Sequence, residues 1–370
     1  MLLNWLQLGQ FRCHEALELQ PGPGVNVLVG GNGAGKSSIL EAIGYLATLS
    51  SFRRAPEGAL VRVGAEAAIL RGEFTGEVGA ALVEVEIPRQ GRHRVLLDGK
   101  RVSGRAELAA RLALIAFLPD DLDLVKRGPA YRREFVDDLA VQLWPAAALD
   151  QQDYERALRQ RNALLRREGR RADATTLQVW DERLAALGST VIVRRLEALR
   201  AVAGGVEGLC RALGGRGEGF AWQYAGAGVG LVAADETAGA LRARLAAGAA
   251  AAREEDLERR TTTVGPHRDE LVLLADGRDL RTRASQGEQR TVALALRLAA
   301  FDLLAERRRG APVLVLDDVF SELDGERRAR LVERLPQGQV FVSTAHGEDV
   351  PTGGLRWVVE PGMVRREGGG

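Results

Sequence analysis

The stretch Val27-Leu-Val-Gly-Gly-Asn-Gly-Ala-Gly-Lys-Ser-Ser-Ile-Leu-Glu-Ala-Ile43 constrains this chain more than any other. A mostly apolar run from Val25 to Val29 predicts a buried strand. A glycine-rich turn follows, and a helix is expected to open at Lys36. Gly30, Gly35, Lys36 and Ser37 fit the phosphate-loop pattern G-x-x-x-x-G-K-[ST]. Glycines such as Gly30, Gly33 and Gly35 let backbone N–H groups converge on phosphate oxygens without Cβ clashes. The helix N-terminus adds the positive end of its dipole. Lys36 is expected to reach the β- and γ-phosphates of ATP, and the Ser37 hydroxyl to ligate Mg²⁺. Asn32 and Ser38 complete the expected nucleotide contacts of this loop.

Composition sharpens the point. Lys36, Lys100 and Lys126 are the only lysines among 51 basic residues. A chain that uses arginine nearly everywhere keeps a lysine where a compact ammonium is needed. The arginine excess has a bland explanation in genome composition, and the net charge is only +1. Any nucleic-acid surface must therefore be local. Cys13 and Cys210 have no motif spacing, which suggests a reducing compartment and no structural metal. Neither a secretory leader nor a membrane-length apolar run is visible, so a cytosolic protein without a membrane partner is expected.

Along the chain, residues 2 to 19 roughly alternate, with Leu3, Trp5, Leu17 and Leu19 as expected inward positions of two strands. Residues 59 to 103 are strand-like again and suggest an antiparallel subdomain beside the nucleotide sheet, with turns at Pro88–Gly91 and Asp98-Gly99. Leu112–Leu118 reads as a further buried strand. From about Asp121 to residue 256 the pattern is helix-periodic, apart from Phe220–Tyr224, and is punctuated by Gly169, Gly204-Gly205 and Gly214-Gly215. Heptads are not sustained, so no long coiled-coil arm is expected. Strand character resumes at Thr261, and a helix is expected from Ser285 to about Arg308. The expected organisation is α/β: residues 1–120 and 257–370 as a P-loop ATPase domain, and 121–256 as an inserted helical lobe.

The last third carries the partner motifs. Val313-Leu-Val-Leu-Asp317 is an apolar strand delivering a carboxylate to magnesium, directly or through water. Asp318 follows where a water-polarising base would sit; the plain alternative is a solvent-facing aspartate pair at a strand end. Ser285-Gln-Gly-Glu-Gln-Arg290 contains a capping box, S-x-x-E. Ser285, Gly287 and Gln289 at a helix start also resemble the signature motif of ABC-type ATPases, whose serine and glycine contact a γ-phosphate. The two readings agree, because a capped helix start with a free N–H is an anion site. In that class the signature helix completes the site of a second subunit, which implies a head-to-tail homodimer around two ATP molecules. Ser321-Glu-Leu-Asp324 resembles the loop whose aspartate crosses that seam. His346 resembles the switch histidine near the γ-phosphate, although a lone histidine is often a surface residue.

Phe11-Arg12, the phosphate loop, Gly265-Pro-His-Arg268, Ser285-Gln-Gly-Glu and Leu316–Asp324 together resemble the RecF family of bacterial recombination mediators, ABC-type ATPases related to the heads of SMC proteins. The resemblance covers the whole chain. It implies an ABC-type head with an antiparallel β subdomain and a helical lobe. It also implies ATP-dependent dimerisation, binding to duplex DNA near single-strand gaps, and work with RecR and RecO in loading RecA. No glutamine lies between Leu112 and Val141, so the Mg²⁺-sensing glutamine loop has no obvious counterpart. Asp318 replaces the usual glutamate base, and a shorter carboxylate implies slow hydrolysis. Arg53, Arg54, Arg101, Arg132, Arg133, Arg156, Arg159 and Arg161 are candidate DNA contacts, against the plain reading of a solvated charged face. A transporter ATPase subunit and a non-hydrolysing structural dimeriser are the competing readings.

Overall fold

Val25–Val29 forms the expected strand, inside a six-stranded sheet. In this computed structural model, which describes residues 1–102, 104–215, 219–308, 310–350 and 353–368, the chain divides into two compact units. One comprises Met1–Asp121, Arg211–Gly215 and Leu294–Gly370; the other comprises Leu122–Cys210 and Arg216–Ala293.

In the first unit the sheet runs in the order Met363–Arg366, Leu355–Glu360, Val25–Val29, Val340–Thr344, Val313–Asp317, Leu114–Phe117. Its inner pairings are parallel, and only the edge hairpin is antiparallel. Every residue of Val313–Asp317 and Val340–Thr344 is buried, as a parallel sheet covered on both faces requires. A second sheet is antiparallel, in the order His14–Leu19, Leu2–Phe11, Ala67–Gly76, Gly79–Pro88, Arg94–Leu97, Lys100–Arg101. Ser103, the last residue of the expected strand-rich stretch, lies outside the described residues.

The helix Lys36–Thr48 packs against strands of both sheets. It is buried from Ser38 through Ala47, on every face, which fits a helix enclosed in a core. Gln339 ties the two sheets together. Its side chain accepts from Leu3 N (2.7 Å) and donates to Leu3 O and Gly22 O (2.9 Å each).

Trp5 departs from the expected alternation. The register of Leu2–Phe11 shifts between Leu3 and Trp5, and a bulge there moves the inward face by one residue. Leu3, Leu6 and Leu8 are buried, whereas Trp5 is only partly so.

The second unit holds the helices Pro129–Leu143 and Ala147–Glu168, nearly all of Ala174–Ala212, and Ala238–Ala251. The helix Ala174–Ala212 is 39 residues long and runs through Gly204 and Gly205. The glycine pair punctuates the sequence pattern but not the helix. Each glycine costs only about 1 kcal/mol, and the apolar stripe from Leu177 to Val206 is buried.

A four-stranded antiparallel sheet runs Gly230–Val232, Ala221–Gly226, Glu270–Ala275, Arg278–Asp279. Because Glu270–Ala275 pairs with Ala221–Gly226, the segment expected to rejoin the ATPase domain at 257 stays with the helical unit until Ala293. Strand geometry begins at Glu270 rather than Thr261, after Gly265 at φ +125 and Pro266 interrupt the extended backbone. No helix among the described residues is long and apolar enough to cross a membrane.

Candidate nucleotide site

The C-terminal ends of three parallel strands bring the phosphate loop, Ser343 and the carboxylate pair together. Ser37 Oγ donates to Asp317 Oδ1 at 2.9 Å, and Ser343 Oγ donates to the same oxygen at 2.6 Å. Asp318 N donates to Ser343 Oγ (3.0 Å) and Ser343 O (3.2 Å). Asp318 adopts φ +50, and its Oδ1 is buried with no hydrogen-bond partner. An unpaired buried carboxylate oxygen at a strand end is free to accept a hydrogen bond from a bound group.

Burial raises the pKa of Asp317, and the Ser343 and Ser37 hydroxyls and the Arg53 charge act against that rise. Burial lowers the pKa of Lys36, which the Asp318 and Asp317 charges oppose. The Lys36 ammonium donates to Gly30 O (2.7 Å) and Gly31 O (3.0 Å), so it must leave those carbonyls to meet a phosphate.

The glycines fall into two groups. A Cβ on Gly30 would lie 2.2 Å from Val359 O, and one on Gly35 (φ +104) would lie 2.6 Å from His14 Nε2. These two are needed for backbone packing and handedness. Gly31 and Gly33 face open space, with nothing within 4 Å, where phosphates can approach the backbone. A hydroxyl and a carboxylate sharing one hydrogen bond form a donor set suited to a hard divalent cation. The residues present therefore fit Mg²⁺ and a triphosphate.

Sequence patterns gave no sign of three supporting side chains. Ser343 orients both aspartates. His14 is fully buried, with Nε2 3.2 Å from Gly35 O. Glu41 is fully buried on the phosphate-loop helix and accepts Arg12 on both oxygens (2.8 Å each) and Ser51 Oγ at 2.5 Å. Arg12 sits at φ +54 in the turn between the first two strands, so this ion pair fixes that turn to the helix. Arg12 and Glu41 both lie in stretches noted in the sequence, but nothing there paired them.

The remaining expected residues sit as follows. Ser38 is buried, and Asn32 and His346 are exposed. Ser285 forms the capping box: its N and Oγ each donate to Glu288 Oε2 at 2.8 Å, and Glu288 N donates back to Ser285 Oγ at 3.3 Å. Ser285 is exposed and Gly287 partly so, whereas Gln289 is buried and donates to Leu280 O and Arg281 O. Asp324 is exposed and caps Gly325–Glu333 through Arg327 N (2.8 Å). In the turn after Leu114–Phe117, Asp121 is buried and paired with Arg297 at 2.6 Å.

Two expected DNA contacts are corrected. Arg161 is fully buried against Asp181 (2.8 Å) and Asp256 (2.7 Å). Arg132 is buried against Glu270. Their charges are spent inside the second unit. Arg133 is half-buried and donates to Asp269 O at 2.6 Å. Arg53, Arg54, Arg101, Arg156 and Arg159 are exposed.

A parallel sheet with one strand between the phosphate-loop strand and the carboxylate strand, together with an antiparallel subdomain, defines an ABC-type ATPase head. The family model described as RecF/RecN/SMC N terminal domain matches residues 2–352. A relative named DNA replication and repair protein RecF, from Frankia alni, is 43% identical over 99% of this chain and 100% of its own. The chain belongs to the RecF/RecN/SMC family, among its RecF members. A solved structure of the recombination mediator protein RecF with ATP is 28% identical, with a TM-score of 0.91, covering 98% of this chain and 97% of that one. An SMC head bound to the C-winged helix domain of ScpA, 16% identical with a TM-score of 0.55 over 99% and 97% of the two chains, shares the fold.

Proposed function

We propose that this chain is an ATP-dependent DNA-binding protein of recombinational repair. On ATP it dimerises head to tail, binds duplex DNA near single-strand gaps and works with RecO and RecR to load RecA, while hydrolysing ATP slowly. The observation that carries this reading is the Ser37–Asp317–Ser343 hydrogen-bond set beside Lys36 and the unpaired Asp318 Oδ1. The relatives' naming as repair and recombination proteins supports its biological side.

Ser37 and Asp317 would hold Mg²⁺, which when bound neutralises charge on the β- and γ-phosphates. Lys36 moves from its loop carbonyls to the phosphates. Asp318 polarises the attacking water and holds its proton at the free carboxylate oxygen. Its short reach to the water makes it a poor base, so turnover is slow and ATP acts as a timer. Ser285 and the Gly287 N–H, exposed at a capped helix start, face the γ-phosphate of a second copy, with Asp324 at the seam and His346 near its own γ-phosphate. The exposed Arg53, Arg54, Arg101, Arg156 and Arg159 are the remaining DNA candidates.

Sizing the protein with and without ATP tests the central claim. Wild type shifts from monomer to dimer on ATP, and Ser285→Arg stays monomeric while still binding ATP. A Ser285→Arg protein that dimerises normally refutes the shared site.

A further inference from the structure

Gly265-Pro-His-Arg268 is the one diagnostic motif that the nucleotide site leaves unused. Three of its residues are occupied inside the second unit. A Cβ on Gly265 would lie 2.6 Å from Tyr154 Oη. Pro266 O accepts from Arg195 Nη1 at 2.7 Å. His267 is held on both ring nitrogens, Nδ1 by Tyr154 Oη (2.6 Å) and Nε2 by Thr262 O (3.1 Å). Arg268 is different. It is exposed, and among the described residues its guanidinium has no hydrogen bond or ion pair.

Arg268 lines a cavity of about 540 Å³ that also involves Arg259, Glu255, Thr261 and Thr263. The opposite wall is a tight crossing: a Cβ on Gly248 would lie 2.5 Å from Gly228 O. The cavity is within the size range of small-ligand sites.

We propose that this cavity binds a phosphate group, with Arg268 as its anchor. Arg259 is already paired with Glu255 at 3.2 Å, so Arg268 supplies the uncompensated positive charge. Thr263 Oγ1 already donates to Asp256 (2.6 Å), which leaves the Thr261 hydroxyl as a second donor. A guanidinium fork beside a hydroxyl matches phosphate oxygens bidentately. The buried motif residues fix the backbone from which Arg268 projects. The phosphate comes either from a free phosphorylated molecule or from a nucleic-acid backbone. The site lies wholly in the second unit; its free-ligand form does not depend on the ATP reading, and its nucleic-acid form rests on the proposed DNA binding.

The test uses the full chain with and without Arg268→Ala. One arm titrates inorganic pyrophosphate by calorimetry in a Lys36→Met background, which disables the ATP cradle. The other keeps Lys36 and titrates a short duplex with ATP present, across a salt series, by fluorescence anisotropy. Arg268 is exposed, so Arg268→Ala is expected to leave the melting temperature unchanged. A free ligand predicts pyrophosphate affinity falling about tenfold in Arg268→Ala. A backbone ligand predicts weaker duplex binding and a salt slope shallower by about 1. A loss in either arm supports the site and identifies the source. Unchanged affinity in both arms overturns it.

Discussion

Glu41 is a carboxylate with no exposed surface, and its charge rests on Arg12 and Ser51. Removing one partner leaves a buried charge uncompensated, so Arg12→Ala is expected to cost about 3 kcal/mol; urea unfolding measures it. Asp318→Asn should reduce ATP turnover at least about 100-fold while ATP affinity stays within a few-fold. A variant that hydrolyses at the wild-type rate removes Asp318 from the role of base. Lys36, Ser37 and Asp317 were legible in the sequence because glycine spacing and apolar runs surround them. Ser343 was not, because a serine at a strand end carries no pattern. Arg132 and Arg161 were misread for a related reason: a charge in a helical run looks the same whether it meets solvent or a carboxylate.

Helix starts show two functions sharing one geometry. Ser285 and Glu288 cap Gln286–Arg307 reciprocally, and Ser285→Ala should cost about 1 kcal/mol through the cap alone. The proposed role at a partner's γ-phosphate predicts a second effect, loss of ATP-induced dimer beyond what a Glu288→Ala cap loss produces. Sedimentation with ATP separates the two. Arg161 joins Ala147–Glu168 to Asp181 of Ala174–Ala212 and to Asp256. Arg161→Ala is expected to destabilise the second unit by about 3–5 kcal/mol, read by its unfolding midpoint. Helix and strand existence was legible from periodicity; the bulge before Trp5 and the unbroken passage through Gly204 and Gly205 were not, because register shifts and packing energy leave no local mark.

For the molecule as a whole, acid sensitivity follows from His267. Burial lowers its pKa from 6.5 to about 4, and the Arg268, Arg133 and Arg195 charges add to that. The unfolded chain binds more protons between those values, so this stabilisation is complete above pH 6.5 and is lost as pH falls toward 4. The loss amounts to at most about 3 kcal/mol. Asp269, raised by burial, titrates in the opposite sense, so the comparison between variants isolates the histidine. His267→Gln should flatten the urea-midpoint profile across that window; an unchanged slope would assign the effect elsewhere. By itself, the sequence determined the phosphate cradle, the carboxylate strand and the alternation of sheet and helix, because these depend on spacing within short windows. Only the tertiary structure decided which arginines are buried and that residues 257–293 belong with the helical unit. It also decided that Ser343 bridges the aspartates. Each of these depends on a partner distant in sequence, and no local pattern records which partner the folded chain supplies.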